Sequence, residues 1–120
     1  MDNDGTFDLN ALKERVDGDM QLLAEILSLS VTRWPEIMTR IERAVAASNS
    51  RELEAAAHNI RGDFVNLHAT RASNTALALE IKGRNHDCAD TEDIYTNLVR
   101  EVGILTPRIV SLLQNNIQQY

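Results

Sequence analysis

One cysteine, Cys88, is all that a chain of 120 residues carries, so no disulfide forms within it. Aromatic residues are only 4% of the total, which leaves the packing to Leu, Ile, Val and Ala. Two prolines and five glycines, with few β-branched runs and many Ala and Leu, point away from strands and towards an all-α fold. No stretch approaches the ~18 to 20 apolar residues of a membrane span. The opening MDNDGTFDLN is acidic and has no apolar segment of the kind a signal peptide needs. A cytoplasmic protein is expected, either free-standing or cut from a longer chain. Positive charge is also scarce: 12 basic residues face 18 acidic ones, a formal net charge of −6. Such a surface repels a phosphate backbone or an anionic membrane, so neither nucleic acid nor membrane is an expected partner.

What is present is helical periodicity. Hydrophobic residues make up 43% of the chain, enough for a core, and the length suits one domain over 1–120 with residues 1–7 flexible. Asp8 caps a short first helix over LNALKERV, interrupted by DGD at 17–19. Asp19 opens a second helix over Met20 to Ala47. Its apolar positions Leu23, Leu27, Val31, Trp34, Met38, Ile41 and Val45 recur every three or four residues. Pro35 removes one hydrogen bond there and predicts a bend rather than a stop. SNS at 48–50 is a turn, and Asn49 with Glu52 makes an approximate capping box for a third helix reaching about Leu67. A fourth helix spans Thr70 to Lys82, with Gly83 as its terminating glycine. After the loop GRNHDCAD, Asp90 or Thr91 caps a fifth, in which Pro107 predicts a kink or a break. The expected fold is an antiparallel up-down four-helix bundle with the short additional N-terminal helix across one end, and a monomer.

The stretch AAHNIRGDFVNLHA at 56–69 concentrates the chemistry. On a helical wheel Leu53, Ala56, Ile60, Phe64 and Leu67 fall within about 60° of the side opposite His58. That apolar stripe faces the core, so His58 projects to solvent near the middle of the bundle. Gly62 lies one turn beyond it, where a side chain would crowd the ring, although glycine costs roughly 1 kcal/mol against alanine in a helix interior. Arg61 stands at i+3, with a permanently charged guanidinium within reach of a group on the ring. A neutral imidazole, with a reference pKa of about 6.5, is a competent nucleophile near neutral pH. A phosphoryl group attached to it adds roughly −1.5 to −2 charge, judged by phosphoserine, which Arg61 offsets. The pattern suits a phosphorylated histidine. The alternative for an exposed helix histidine is simple solvation, and for Glu54, on the same face at i−4, a solvated charge is favoured over a bond to the ring's other nitrogen.

These residues resemble the signature of histidine-containing phosphotransfer (HPt) domains, approximately A-H-x-(L/I)-(K/R)-G-(S/A)-x-x-x-(L/V)-G-A, with which Ala57, His58, Ile60, Arg61, Gly62, Leu67 and Ala69 agree. FDLNALKERVDGDMQLLAEIL, RWPEIMTRIERAVAASNSRELEAAAH and ALALEIKGRN are similar to the family's flanking helices and turns. The resemblance implies a helical bundle that carries a phosphoryl group between aspartates of response-regulator receiver domains, downstream of a hybrid sensor histidine kinase. It implies that His58 accepts the group, Arg61 stabilises it and Gly62 opens the approach. Two positions depart from the pattern. Asp63 replaces Ser or Ala at the margin of the core stripe and needs a partner or a water. His68 replaces the glycine before the last alanine, which suggests a differently shaped helix end.

The docking surface is expected around His58, including Ala55 and Val65, and on apolar residues of the first two helices, with Leu12, Val16 and Met20 as candidates that equally suit a core. No cofactor is expected. No carboxylate cluster surrounds His58, so Mg²⁺ is expected from the partner receiver. Asn85 to Cys88 with His68 match no established zinc spacing, and no nucleophile elbow or Gly-rich phosphate loop is present. ATP binding, and with it autonomous kinase activity, is therefore not expected. The rival reading is an HPt-like interaction module that binds a receiver or a kinase without transferring phosphate.

Overall fold

Two aspartates set the start of the chain's helical structure. Asp8 accepts a hydrogen bond from the amide of Ala11 at 3.1 Å, and Asp19 one from Leu22 at 3.0 Å, each satisfying an amide that a helix start would leave without a partner. Asn49 does the same for Glu52. In a computed structural model that describes residues 7–115, the resulting helices are α1 (Leu9–Arg15), α2 (Met20–Ala47), α3 (Ser50–Asn66), α4 (Thr70–Arg84) and α5 (Thr91–Gln114). Among the described residues there is no strand. Residues 1–6, expected to be flexible, lie outside the described residues, while Phe7 is buried in the core.

The four long helices close a ring in which α2 meets α3, α3 meets α4, α4 meets α5 and α5 meets α2. Neighbours run antiparallel. Arg33 reaches Asp63 while Arg40 reaches Glu52, so α3 descends as α2 climbs, and Glu80 meets His58 and Arg61 while Gly83 lies against Ser50 and Glu54. The rod measures 45 × 21 × 20 Å. At the end where α3 stops, Arg15 of α1 donates to the carbonyl of Asn66, and Phe7, Leu9, Leu12 and Val16 join the core. Both prolines sit inside intact helices. α2 continues through Pro35, and α5 runs unbroken through Pro107, so the break considered at Pro107 does not occur. Flanking core residues Leu105 and Ile109 are 1% and 0% exposed, and their burial holds the helix across the lost hydrogen bond. At the start of α5, Asp90 makes no capping bond with its side chain, while the Thr91 hydroxyl donates to the carbonyl of Cys88.

Gly83 does not end α4, as its sequence position suggested. The helix continues to Arg84 with Gly83 buried inside it. A β-carbon there would lie 2.6 Å from both the backbone nitrogen of Glu54 and the carbonyl oxygen of Ser50. Gly83, Ala76 and Ala72 form a small-residue stripe that lets α4 settle directly on the backbone of α3, whose own contact surface includes Ala56 and Ala57.

Both departures from the HPt pattern find a structural place. Asp63 is 9% exposed and accepts from the Trp34 indole Nε1 at 3.0 Å and from the Arg33 guanidinium. Trp34 packs edge-on to Phe64 at a centroid separation of 5.2 Å, so Asp63 supplies the acceptor that a buried indole needs. His68 has φ +55°, the left-handed conformation that glycine adopts most easily. The backbone here is one that a glycine would adopt without strain, and histidine holds it at the end of α3.

Gly83→Ala tests the close approach. In a free helix the change would stabilise by about 1 kcal/mol, but both obstructing atoms are backbone and have no side-chain rotamer to escape by. Overpacking of this kind costs roughly 1–3 kcal/mol, so the urea midpoint falls. Gly103→Ala in α5, where an added β-carbon meets nothing within 4 Å, raises it. Equal shifts in the two variants would refute the close-contact account.

Candidate functional site

The core stripe of α3 fixes where His58 points. Leu53, Ala56, Ala57, Ile60 and Phe64 are all fully buried, which turns the imidazole outward with its side chain 62% exposed. It is not simply solvated. Its Nδ1 lies 3.1 Å from Oε2 of Glu80 on α4, and that carboxylate is only 4% exposed. An ionised carboxylate only accepts, so the contact selects the imidazole form with the proton on Nδ1 and leaves the Nε2 lone pair free. Nε2 is the ring nitrogen available for chemistry.

Glu80 is held by two further donors. Arg61 Nε donates to Oε1 at 2.6 Å, and Arg84 Nη2 donates to Oε2 at 2.9 Å. Burial opposes ionisation of this carboxyl, yet the bonds and charges of Arg61 and His58 outweigh it and hold Glu80 below its ordinary value of about 4.5. Arg61, 27% exposed, thus reaches across to α4 instead of hanging free beside the histidine. Its Nη2 still lies 3.3 Å from His58 Nδ1, so its charge stays within one turn of the ring. Arg84 also donates through Nε to Glu54 at 3.3 Å, which gives that carboxylate a partner other than the imidazole.

Gly62 is exposed, and a β-carbon placed on it would meet nothing within 4 Å. The fold does not demand a glycine there, so the open space faces outward. Ala55 is exposed on the same face of α3, and Val65 is 47% exposed. Two docking candidates are corrected. Leu12 and Val16 are 2% and 9% exposed, because α1 has a single apolar side and spends it closing the bundle end, while Met20, at the start of α2, is half-buried beside the core. The apolar surface of the second helix lies elsewhere, at Leu22, Ile26 and Leu29, which are 42%, 36% and 65% exposed and recur at i, i+4 and i+7 on one face. One turn beyond Leu29, Arg33 reaches Asp63 in the last turn of α3, so this stripe runs along α2 from the end of α3 onward.

Sequence reasoning missed Glu80 and Arg84. The available signal was a lone carboxylate in step with the small-residue stripe Ala72, Ala76 and Gly83, a position where an unpaired charge is not tolerated. The loop histidine, His86, contacts the Ser50 hydroxyl at 3.0 Å, and Asp87 pairs with Lys82 at 3.1 Å.

Comparison with known proteins agrees with this geometry. A family model described as "Hpt domain" matches residues 25–119. A search of curated proteins returns no match. Among solved structures, the HPT domain of an Hpt sensor hybrid histidine kinase from Shewanella superposes with a TM-score of 0.82 at 14% identity, covering 92% of this chain and 96% of that one. At that identity the likeness speaks for the fold alone.

Glu80 also ties stability to pH. Its carboxyl is held below the ordinary value, so its contribution is complete above about pH 4.5 and fades as pH falls through the lowered folded value. Glu80→Gln should cost about 1.5–3 kcal/mol at neutral pH, the range for bonds to a charged group. It should also flatten the acid limb of the stability curve, read by urea unfolding between about pH 3 and 7. An acid limb unchanged in the variant would exclude Glu80 as its source.

Proposed function

The chain belongs to the Hpt domain family, the histidine phosphotransfer domains of two-component signalling, and from that premise we propose that His58 is its phosphoryl-accepting residue, taking the group from a receiver-domain phospho-aspartate and returning it to the aspartate of another receiver. The observation that carries this reading is the exposed imidazole with Nδ1 engaged by buried Glu80 and Nε2 left open.

In the forward step the Nε2 lone pair attacks phosphorus. The bond from phosphorus to the aspartyl oxygen breaks, and its electron pair leaves with that oxygen as an ordinary carboxylate. Nδ1 keeps its proton, so the ring carries positive charge as the new bond forms, and Glu80 faces that charge. Arg61 lies close enough to offset the phosphoryl oxygens. The reverse step repeats these movements from nitrogen to oxygen. Little covalent work is left to the bundle beyond positioning and charge compensation, and the divalent cation of the reaction belongs to the acidic pocket of the receiver.

Docking uses the open face around His58 and Gly62, with Ala55 and Val65, and the Leu22, Ile26 and Leu29 stripe on α2. The overall charge of −6 does not oppose it. Residues 50–84, which make up α3 and α4, contain five basic and four acidic side chains, so the face offered to an acidic receiver pocket is nearly neutral.

Incubation with a phosphorylated receiver domain should transfer label to the wild type and leave His58→Gln unlabelled. The phosphate should be acid-labile and base-stable, as expected of a phosphoramidate. Binding without label in the wild type would favour the non-transferring module, and labelling of His58→Gln would defeat the assignment. Gly62→Leu separates access from folding. It should raise helix stability by up to about 1 kcal/mol while lowering the receiver-dependent rate at least tenfold, and an unchanged rate would remove Gly62 from the docking face.

A further inference from the structure

Arg84 has no place in the motif, yet it touches both carboxylates that border His58. It lies one turn after Glu80 on α4, donating Nη2 to Glu80 Oε2 at 2.9 Å and Nε to Glu54 Oε2 at 3.3 Å. Those two acids make opposite demands on the site. Glu80 is buried and bonds Nδ1 on the inner side of the ring. Glu54 is 39% exposed and sits one turn before His58 on the same face of α3, roughly 40° around the helix axis. A free carboxylate there would stand beside the path of an incoming phosphoryl group and repel it. It would also offer the imidazole a second acceptor, on the side from which Nε2 must be approached.

We propose that Arg84 is a positioning residue for phosphotransfer, acting as a two-way clamp that fixes Glu80 against His58 Nδ1 and draws Glu54 away from the nucleophilic face of the ring. The inference rests on His58 being the phosphoryl acceptor. The charged groups facing the imidazole are Arg61 and Glu54 from α3 and Glu80 and Arg84 from α4, two cations and two anions, so the bordering charges balance. Removing Arg84 leaves a net negative border and frees the one member able to swing outward. Arg61 does not substitute for it, because its Nε is already committed to Glu80 Oε1 at 2.6 Å. Lysine does so only in part. A guanidinium donates to two carboxylates from different nitrogens in a fixed plane, whereas an ammonium is a single point charge.

Phosphoramidate tests this without a receiver, so docking cannot confuse the result. Nε2 attacks phosphorus, the phosphorus–nitrogen bond of the reagent breaks, and the electron pair leaves with ammonia. Arg84→Ala should label His58 roughly tenfold more slowly than the wild type, the scale set by one uncompensated charge a few ångströms from an approaching dianion. Arg84→Ala combined with Glu54→Gln should recover most of that loss, Arg84→Lys should fall between, and Glu54→Gln alone should label at least as fast as the wild type. Glu80 is buried and keeps Arg61 and His58 as partners when Arg84 is removed, so the thermal midpoint should fall, and by a similar amount in Arg84→Ala with and without Glu54→Gln, whereas the labelling rates of those two variants should differ. In ¹⁵N spectra of the neutral imidazole, Arg84→Ala should shift population from the Nδ1–H form towards the Nε2–H form, a change that simple loss of packing would not produce. Labelling of Arg84→Ala at the wild-type rate, or a loss that Glu54→Gln does not restore, overturns the clamp. A wild type that takes no label at all refutes the phosphotransfer reading instead.

Discussion

A carboxylate that is 4% exposed and still ionised must have its charge met by its neighbours. At Glu80 the neighbours are His58, Arg61 and Arg84, and those three of the four groups in the network reach the surface where the imidazole stands. This inverts the usual relation between core and site. The imidazole is on the outside of the bundle, but the group that fixes its protonated nitrogen lies beneath it on another helix. Anything that moves α4 relative to α3 therefore moves the chemistry. The small-residue stripe of α4 is thus part of the site in a physical sense. Gly83, pressed onto the backbone at Ser50 and Glu54, sets the helix separation that lets a glutamate side chain span the gap at Glu80.

The other side of α3 is held by different means. There Arg33 and Trp34 of α2 converge on Asp63, and the indole stacks edge-on to Phe64. α3 is consequently tethered along one flank by an aspartate–indole bond and along the other by the Glu80 network, with its apolar stripe between them. A helix gripped in this way has little freedom to rotate about its axis, and the outward direction of His58 is a consequence of both grips. It also accounts for the tolerance of Asp63 where the family pattern has a small residue. That carboxylate belongs to the α2 flank, away from the ring.

The starts of α1, α2 and α3 and the orientation of His58 were legible from sequence because both depend on local periodicity and capping. Asp8, Asp19 and Asn49 cap as their positions suggest, and Leu53, Ile60 and Phe64 are buried as the wheel requires. The failures share a different physical origin. Leu12 and Val16 were offered as docking residues because an amphipathic helix shows which side is apolar without showing what covers it. Gly83 was read as a helix end because a glycine needed for close approach leaves the same local mark as one needed for a left-handed turn, and only the opposing helix separates the two. Glu80 and Arg84 were invisible for the same reason. Their meaning lies in the register between α3 and α4, which no single-helix pattern contains.

His68 and Gly62 make the distinction between fold and function concrete. At His68 the backbone is left-handed, glycine would be the easier residue, and the chain does without it, so a conformational preference of this size is dispensable here. At Gly62 the helix is regular, nothing lies within 4 Å of the missing β-carbon, and the fold would accept or even favour a larger residue, yet glycine is present. A residue that the fold needs can be explained from within the bundle. One that weakens the helix and relieves no internal contact points to something outside it, and at this position the open space lies one turn from His58 on the exposed side of α3, as the proposed approach of a partner requires.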